Sequence, residues 1–87
     1  MPIVTLRYWA AAKDAAGVAD EKVEAMTLAE ALAAAGRECP GAAERLRPVL
    51  ARSSFLINGE PAGRRSPESV ALPDDAVIEV LPPFAGG

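Results

Sequence analysis

The stretch Thr27–Gly36, TLAEALAAAG, decides the fold. Thr27 stands in N-cap position with Glu30 three residues on, the spacing of a capping box in which each side chain satisfies a backbone N–H of the other's turn. Leu28, Ala31, Leu32 and Ala35 then recur at helical spacing, and Gly36 supplies the stop. This predicts a main helix whose leucine stripe faces a sheet, so the residues on either side must provide the strands.

They do so on both sides. Upstream, Ile3–Trp9 (IVTLRYW) alternates, with Val4, Leu6 and Tyr8 on one face and Thr5 and Arg7 on the other, as a half-buried strand does. Residues 10–17 form a short helical segment closed by Gly17, and Asp20–Met26 is a second, mostly polar strand with Val23 inward. Such a strand suits a sheet edge, where charge discourages further strand addition. Downstream, residues 41–51 (GAAERLRPVLA) place Ala42, Leu46 and Leu50 at four-residue spacing. Pro48 is expected to end that helix near Arg47, because proline removes a hydrogen bond and crowds the preceding turn.

Phe55–Ile57 is a third strand running into Asn58-Gly59, a favoured tight-turn pair. Residues 61–69 (PAGRRSPES) read as loop and 69–75 (SVALPDD) as a short strand or turn. Ala76–Leu81 is the last strand, rich in β-branched residues and ended by Pro82 and Pro83, which have no N–H for a sheet. The order strand, strand, helix, strand, strand predicts a small α+β domain. Its last strand lies beside its first, and the helix covers one face.

Composition narrows the function. Eighty-seven residues support one core of about 3–5 kcal/mol, and Cys39, the only cysteine, permits no internal disulfide and fits a reducing cytoplasm. The opening MPIVTLRYWAAAK does not read as a secretory leader, and no run is long enough for a membrane span. A net charge of −3 without a basic cluster argues against nucleic acid as partner. The chain has no histidine, which excludes Ser-His-Asp and Cys-His nucleophile systems and histidine metal sites within it.

The remaining candidate is the tail LPPFAGG. From Leu81, the six residues Pro82–Gly87 reach about 20 Å when extended. Pro82 and Pro83 stiffen the start of the tail, and Phe84 is an apolar anchor for a partner's pocket. Gly86 and Gly87 have no side chains and can enter a channel too narrow for anything bulkier, and the terminal carbonyl is unhindered. A carboxylate is a poor electrophile and needs activation, for example as an acyl-adenylate made with ATP. The chain has no phosphate-binding loop, so the activating machinery belongs to a partner.

With LPPFAGG, the opening VTLRYWAAAKDAAG, the capped TLAEALAAAG and the FLINGE turn, the chain resembles the small subunit of molybdopterin synthase, a family of ubiquitin-like β-grasp sulfur carriers. The resemblance covers nearly the whole chain, with a domain at 1–81 and a tail at 82–87. It implies that a ubiquitin-activating-type enzyme adenylates the Gly87 carboxylate and that a sulfurtransferase converts it to a thiocarboxylate. It further implies that the tail enters the large synthase subunit, where sulfur passes to a pyranopterin to form the dithiolene. Gly87 would be the covalent site, and Pro82, Pro83, Phe84, Ala85 and Gly86 the partner contacts. No cofactor would be bound by the chain itself, with ATP used by the activating partner. Where many relatives place a glycine between two acidic residues before the last strand, this chain has PDDA, which implies a different turn.

Two other readings share this pattern. A carrier for thiazole, cysteine or tRNA thiolation would use the same tail, although residues 41–51 make the chain longer than a minimal thiazole carrier. A modifier conjugated to lysines of other proteins would need the same activation; a passive interaction domain is a weaker third. Among other residues, Cys39 has no neighbouring His or Lys and reads as a small, partly buried side chain. Arg64 and Arg65 read as a solvated loop pair, Asp74 and Asp75 as turn residues, and Tyr8 and Trp9 as core or interface. A sheet face around Phe55 and Ile57 is a candidate contact for a large subunit.

Overall fold

Val4, Leu6 and Tyr8 alternate with Ile3, Thr5 and Arg7 along the first strand, β1 (Ile3–Tyr8), and the first set is buried while the second is not. The computed structural model describes residues 1–83. Around β1 the described residues form α1 (Ala10–Ala16), β2 (Asp20–Glu24), α2 (Leu28–Ala34), α3 (Ala42–Arg52), β3 (Ser54–Ile57), β4 (Glu60–Pro61), a 3-10 turn at Pro67–Ser69, and β5 (Val77–Leu81).

The five strands make one sheet in the order β2-β1-β5-β3-β4. β5 runs parallel to β1, with Leu6 opposite Ile78 and Tyr8 opposite Val80, and antiparallel to β3, with Phe55 opposite Val80 and Ile57 opposite Ile78. The expected neighbours, first strand beside last, are therefore the observed ones, and the polar β2 is an edge as its charges suggested. Residues paired in register share a face. One face thus carries Val23, Val4, Leu6, Tyr8, Ile78 and Val80 with the half-buried Phe55 and Ile57, and it meets Ala12 and Ala16 of α1, Leu28 and Ala31 of α2 and Leu46 of α3 in a single core.

The Thr27 half of the capping box forms as read, while its Glu30 half reaches the amide one residue before the cap. The Glu30 amide donates to Thr27 Oγ1 at 3.2 Å, and the Glu30 carboxylate accepts from the Met26 amide at 2.6 Å. The helix it starts has seven residues, however, and the longest helix is α3, with eleven. Gly36 follows α2 with φ +88°, and a Cβ there would lie 2.5 Å from the Ala43 nitrogen. Only glycine lets the backbone of α3 come that close.

Pro48 does not stop α3, contrary to the expectation of a break near Arg47. Its ring is on the exposed side of the helix while Leu46 is buried and Val49 and Leu50 are half-buried against the core. The lost bond to the Glu44 carbonyl therefore falls on the exposed side of the helix, and apolar packing on the other side carries it to Arg52. The Asn58-Gly59 pair makes the expected hairpin, with φ +51° and +85° and Ile57 opposite Glu60.

Candidate functional site

β5 lies between β1 and β3 and ends at Leu81, which pairs with Ser54. Its start is fixed from both sides: the Thr5 amide donates to the Ala76 carbonyl at 2.9 Å, and the Val77 amide donates to Asn58 Oδ1 at 2.9 Å. Pro82 and Pro83 follow Leu81 outside the sheet, Pro82 half-buried and Pro83 exposed. The structure thus brings two of the six expected tail residues to the end of a central strand. Phe84, Ala85, Gly86 and Gly87 lie outside the described residues.

A buried polar knot joins β1 and β2. Glu21 of β2 is 4 % exposed and lies on the core face, in register with Leu6. Its Oε1 accepts from the Tyr8 hydroxyl and from the Gly36 amide at 2.5 Å, and its Oε2 accepts from the Arg37 amide at 3.2 Å. Three donors offset much of the cost of burying a carboxylate, and they tie the segment after α2 to the two strands. The Tyr8 hydroxyl is held protonated well above its usual range, first by burial and then by its bond to the negative Glu21. The phase of Val23 places Glu21 inward, two residues away, so alternation in DEKVE carries a signal for it that its charge conceals.

Trp9 is the other residue whose role the fold reveals. Its backbone continues β1 in extended form, so with Tyr8 inward the indole lies on the opposite face, 47 % exposed, at the same end of the sheet as Leu81. The Ala12 amide donates to the Trp9 carbonyl at 3.0 Å, and Ala10 takes a left-handed φ of +50° as the chain turns into α1. The sheet face expected around Phe55 and Ile57 is corrected: both point into the core with Val80 and Ile78, and the residue of β3 that points out among apolar neighbours is Leu56.

Several other residues take the modest roles expected of them. Cys39 is half-buried, with Sγ 3.1 Å from where a Gly17 Cβ would stand. The guanidinium of Arg65 donates to the carbonyls of Ala62 at 3.0 Å and Pro61 at 3.3 Å, bracing its own loop, while Arg64 is exposed. Asp75 adopts φ +61° in the turn before β5, and its amide donates to the Ile3 carbonyl at 3.0 Å. Among the described residues no group of three or more Cys, Asp or Glu is placed to hold a metal ion, and no helix is long and apolar enough to cross a membrane.

Known proteins agree with this architecture. Solved structures with the same fold include the small archaeal modifier protein 1 of Methanosarcina acetivorans, at a TM-score of 0.81 and 21% identity, covering 100% of this chain and 98% of that one. The modifier of the same name from Haloferax volcanii matches at a TM-score of 0.75 and 23% identity, covering 98% and 99%. A complex of subunits 1 and 2 of the molybdopterin-converting factor from Helicobacter pylori matches at a TM-score of 0.67 and 25% identity, covering 98% and 99%. No curated protein matches the chain. The sequence profile of the ThiS family aligns with residues 6–87, from the first strand through the final glycine. The chain therefore belongs to the ThiS family, whose sequence it carries on a ubiquitin-like α+β fold.

Proposed function

We propose that the protein is a sulfur carrier that holds sulfur as a thiocarboxylate on Gly87 and delivers it for dithiolene formation in molybdopterin synthesis. The observation that carries this is the placement of the tail's root. The central strand β5 runs out at Leu81, two prolines stop the sheet, and the ThiS match extends over the remaining glycines. On this reading residues 1–81 are a rigid handle and 82–87 the working segment.

The chemistry is then divided between this chain and its partners. A ubiquitin-activating-type enzyme joins the Gly87 carboxylate to the α-phosphorus of ATP and releases pyrophosphate. A sulfurtransferase's persulfide attacks the acyl-adenylate and releases AMP, leaving an acyl disulfide; a second thiol then cleaves its S–S bond, forming a disulfide with the sulfurtransferase and releasing the thiocarboxylate. The large synthase subunit receives the tail, sulfur passes to the pyranopterin, and the carrier departs with a plain carboxylate. The chain supplies an unhindered carbonyl, a narrow stem and a fixed point of departure, and binds no cofactor of its own. The Helicobacter pylori complex of two converting-factor subunits favours a large subunit as the acceptor's host.

A second reading is favoured by the two archaeal modifier proteins of the same fold: Gly87 joined to lysines of other proteins. The chemistry up to the adenylate is shared, so the mass of Gly87 separates the two. Protein tagged at its N-terminus and recovered from its native cells is expected to include a form heavier by one oxygen-to-sulfur exchange at Gly87. Removing Gly87 is expected to abolish sulfur transfer and leave the melting temperature unchanged. Recovery of Gly87 only as plain carboxylate and lysine conjugates would replace the carrier reading with the modifier one.

A further inference from the structure

We infer that the outer edge of β2 is an interface with a second copy of this chain: two β2 strands pair antiparallel, with Lys22 of each opposite Glu24 of the other. β2 is an outer strand of the sheet, and its ladder with β1 fixes which backbone groups remain free. The Tyr8 amide donates to the Ala19 carbonyl and the Ala25 amide to the Pro2 carbonyl, so the hydrogen-bonded pairs between them are Leu6 with Glu21 and Val4 with Val23. Asp20, Lys22 and Glu24 therefore turn their N–H and C=O groups away from β1. Among the described residues none of these groups meets a hydrogen-bond partner.

An open edge alone is no interface, and the charges on this one discourage pairing with most strands. Their order selects the strand that fits. Across a two-fold axis, residues with outward backbone groups face each other, and three registers give more than one facing pair within Asp20–Glu24. Setting Lys22 against Lys22 also sets Asp20 against Glu24, so every pair is of like charge. Setting Asp20 against Lys22 brings two Glu21 residues together at the axis, although each carboxylate is already committed inside its own core. Setting Lys22 against Glu24 pairs opposite charges twice. It also brings Val23 against Val23 at the axis, in a non-hydrogen-bonded pair where side chains approach closest. Only this register is favourable at each position.

The surroundings fit this register. Lys22 and Glu24 are exposed, and with Ile3, Val23 and Arg37 they line a groove of about 520 Å³ along the edge. The groove holds two cations and one carboxylate between apolar walls, so it accepts the second copy's Glu24 beside Lys22 and Arg37. The pairing stops at Met26, whose amide donates to Glu30 and whose carbonyl accepts from the Leu72 amide. Each Lys22–Glu24 pair adds two backbone hydrogen bonds. So short a contact lies at the weak end of specific interfaces and gives a reversible dimer. The two sheets join edge to edge with both cores on one side. β5 stays two strands from the joint and the two tail roots leave at opposite ends, so the dimer is independent of what the tail does.

Sedimentation equilibrium of the full chain at concentrations up to about 1 mM tests this. The weight-average mass is expected to rise with concentration from 9.0 kDa towards twice that value. Lys22→Glu and Glu24→Lys each set like charges at both pairs and are expected to weaken association by about tenfold. Their net charges move in opposite directions from −3, so an effect of overall charge would strengthen one of them. The double variant Lys22→Glu with Glu24→Lys restores the opposite pairs and is expected to return the dissociation constant to within about threefold of the original. Both side chains are exposed, so circular dichroism and melting curves are expected to match in all four proteins. A mass of 9.0 kDa at every concentration, a dimer indifferent to the single substitutions, or a double variant as weak as either single would each overturn the inference.

Discussion

Tyr8→Phe isolates the bond that joins the first strand to the buried Glu21. The substitution removes one hydroxyl and keeps the ring, so the core loses a hydrogen bond without gaining a cavity. A bond to a charged group contributes about 1.5–3 kcal/mol. Glu21 still accepts from the amides of Gly36 and Arg37 in the variant, which places the expected loss near 2 kcal/mol at pH 7. For a chain of this size that is a fall of about 8–16 °C in Tm. The pH dependence carries a sign. Burial, then Glu21, raise the hydroxyl's pKa in the fold above the value of about 10 that it takes when unfolded. The stabilisation is therefore complete below pH 10 and declines as pH rises beyond it, by about 1.4 kcal/mol per pH unit. Urea denaturation of both proteins from pH 7 to pH 12 should show the gap between them closing above pH 10. Tyr8 is the only tyrosine, so phenolate absorbance in the folded protein reports this group alone. A phenolate midpoint near 10 in folded protein, or a gap independent of pH, would refute the account of the knot.

Two further substitutions test other joints of the fold. Gly36→Ala forces a side chain to φ +88° and within 2.6 Å of Ala43 Cα, so it is expected to cost about 2–5 kcal/mol by chemical denaturation; a loss under about 1 kcal/mol would mean α3 does not press on this glycine as described. Thr27→Ala removes the side-chain cap on the Glu30 amide and is expected to cost about 1 kcal/mol, read from the same denaturation curves. Because the lost bond is local to the start of α2, this variant should leave the mass distribution at Gly87 unchanged.

The parts of the fold legible in the sequence are those in which local chemistry and tertiary packing ask for the same thing. The alternation of Ile3–Tyr8, the Thr27–Glu30 box and the Asn58-Gly59 turn each have a local reason, and the core merely accepts them. Pro48 was misread because its cost depends on which side of α3 the freed carbonyl faces, and that is set by where Leu46 and Leu50 pack. Glu21 was read only as part of a polar edge, since nothing near it in the chain supplies its donors: Tyr8 is thirteen residues away and Gly36 fifteen. Phe55 and Ile57 were expected to face a partner because a run of three apolar residues, Phe55-Leu56-Ile57, has no internal phase. Pairing with Val80 and Ile78 supplies it. Of the site, the tail was legible as composition, and the two described prolines lie where the last strand's end required them.

On the carrier reading, the position of the tail's root also bears on why so small a domain serves as a handle. A segment rooted on an edge strand or a loop inherits the local opening of that element, which costs far less than global unfolding. β5 is hydrogen-bonded to β1 on one side and β3 on the other, and Ile78 and Val80 are fully buried between α1 and the neighbouring strands. Releasing β5 as a whole therefore requires breaking two ladders and opening the core, while Leu81 at its end pairs with Ser54. Beyond it the chain has only about 20 Å with which to find a partner's slot. On the carrier reading, a short tail on a fixed root confines its end to a small volume and so raises its effective concentration at a partner's slot.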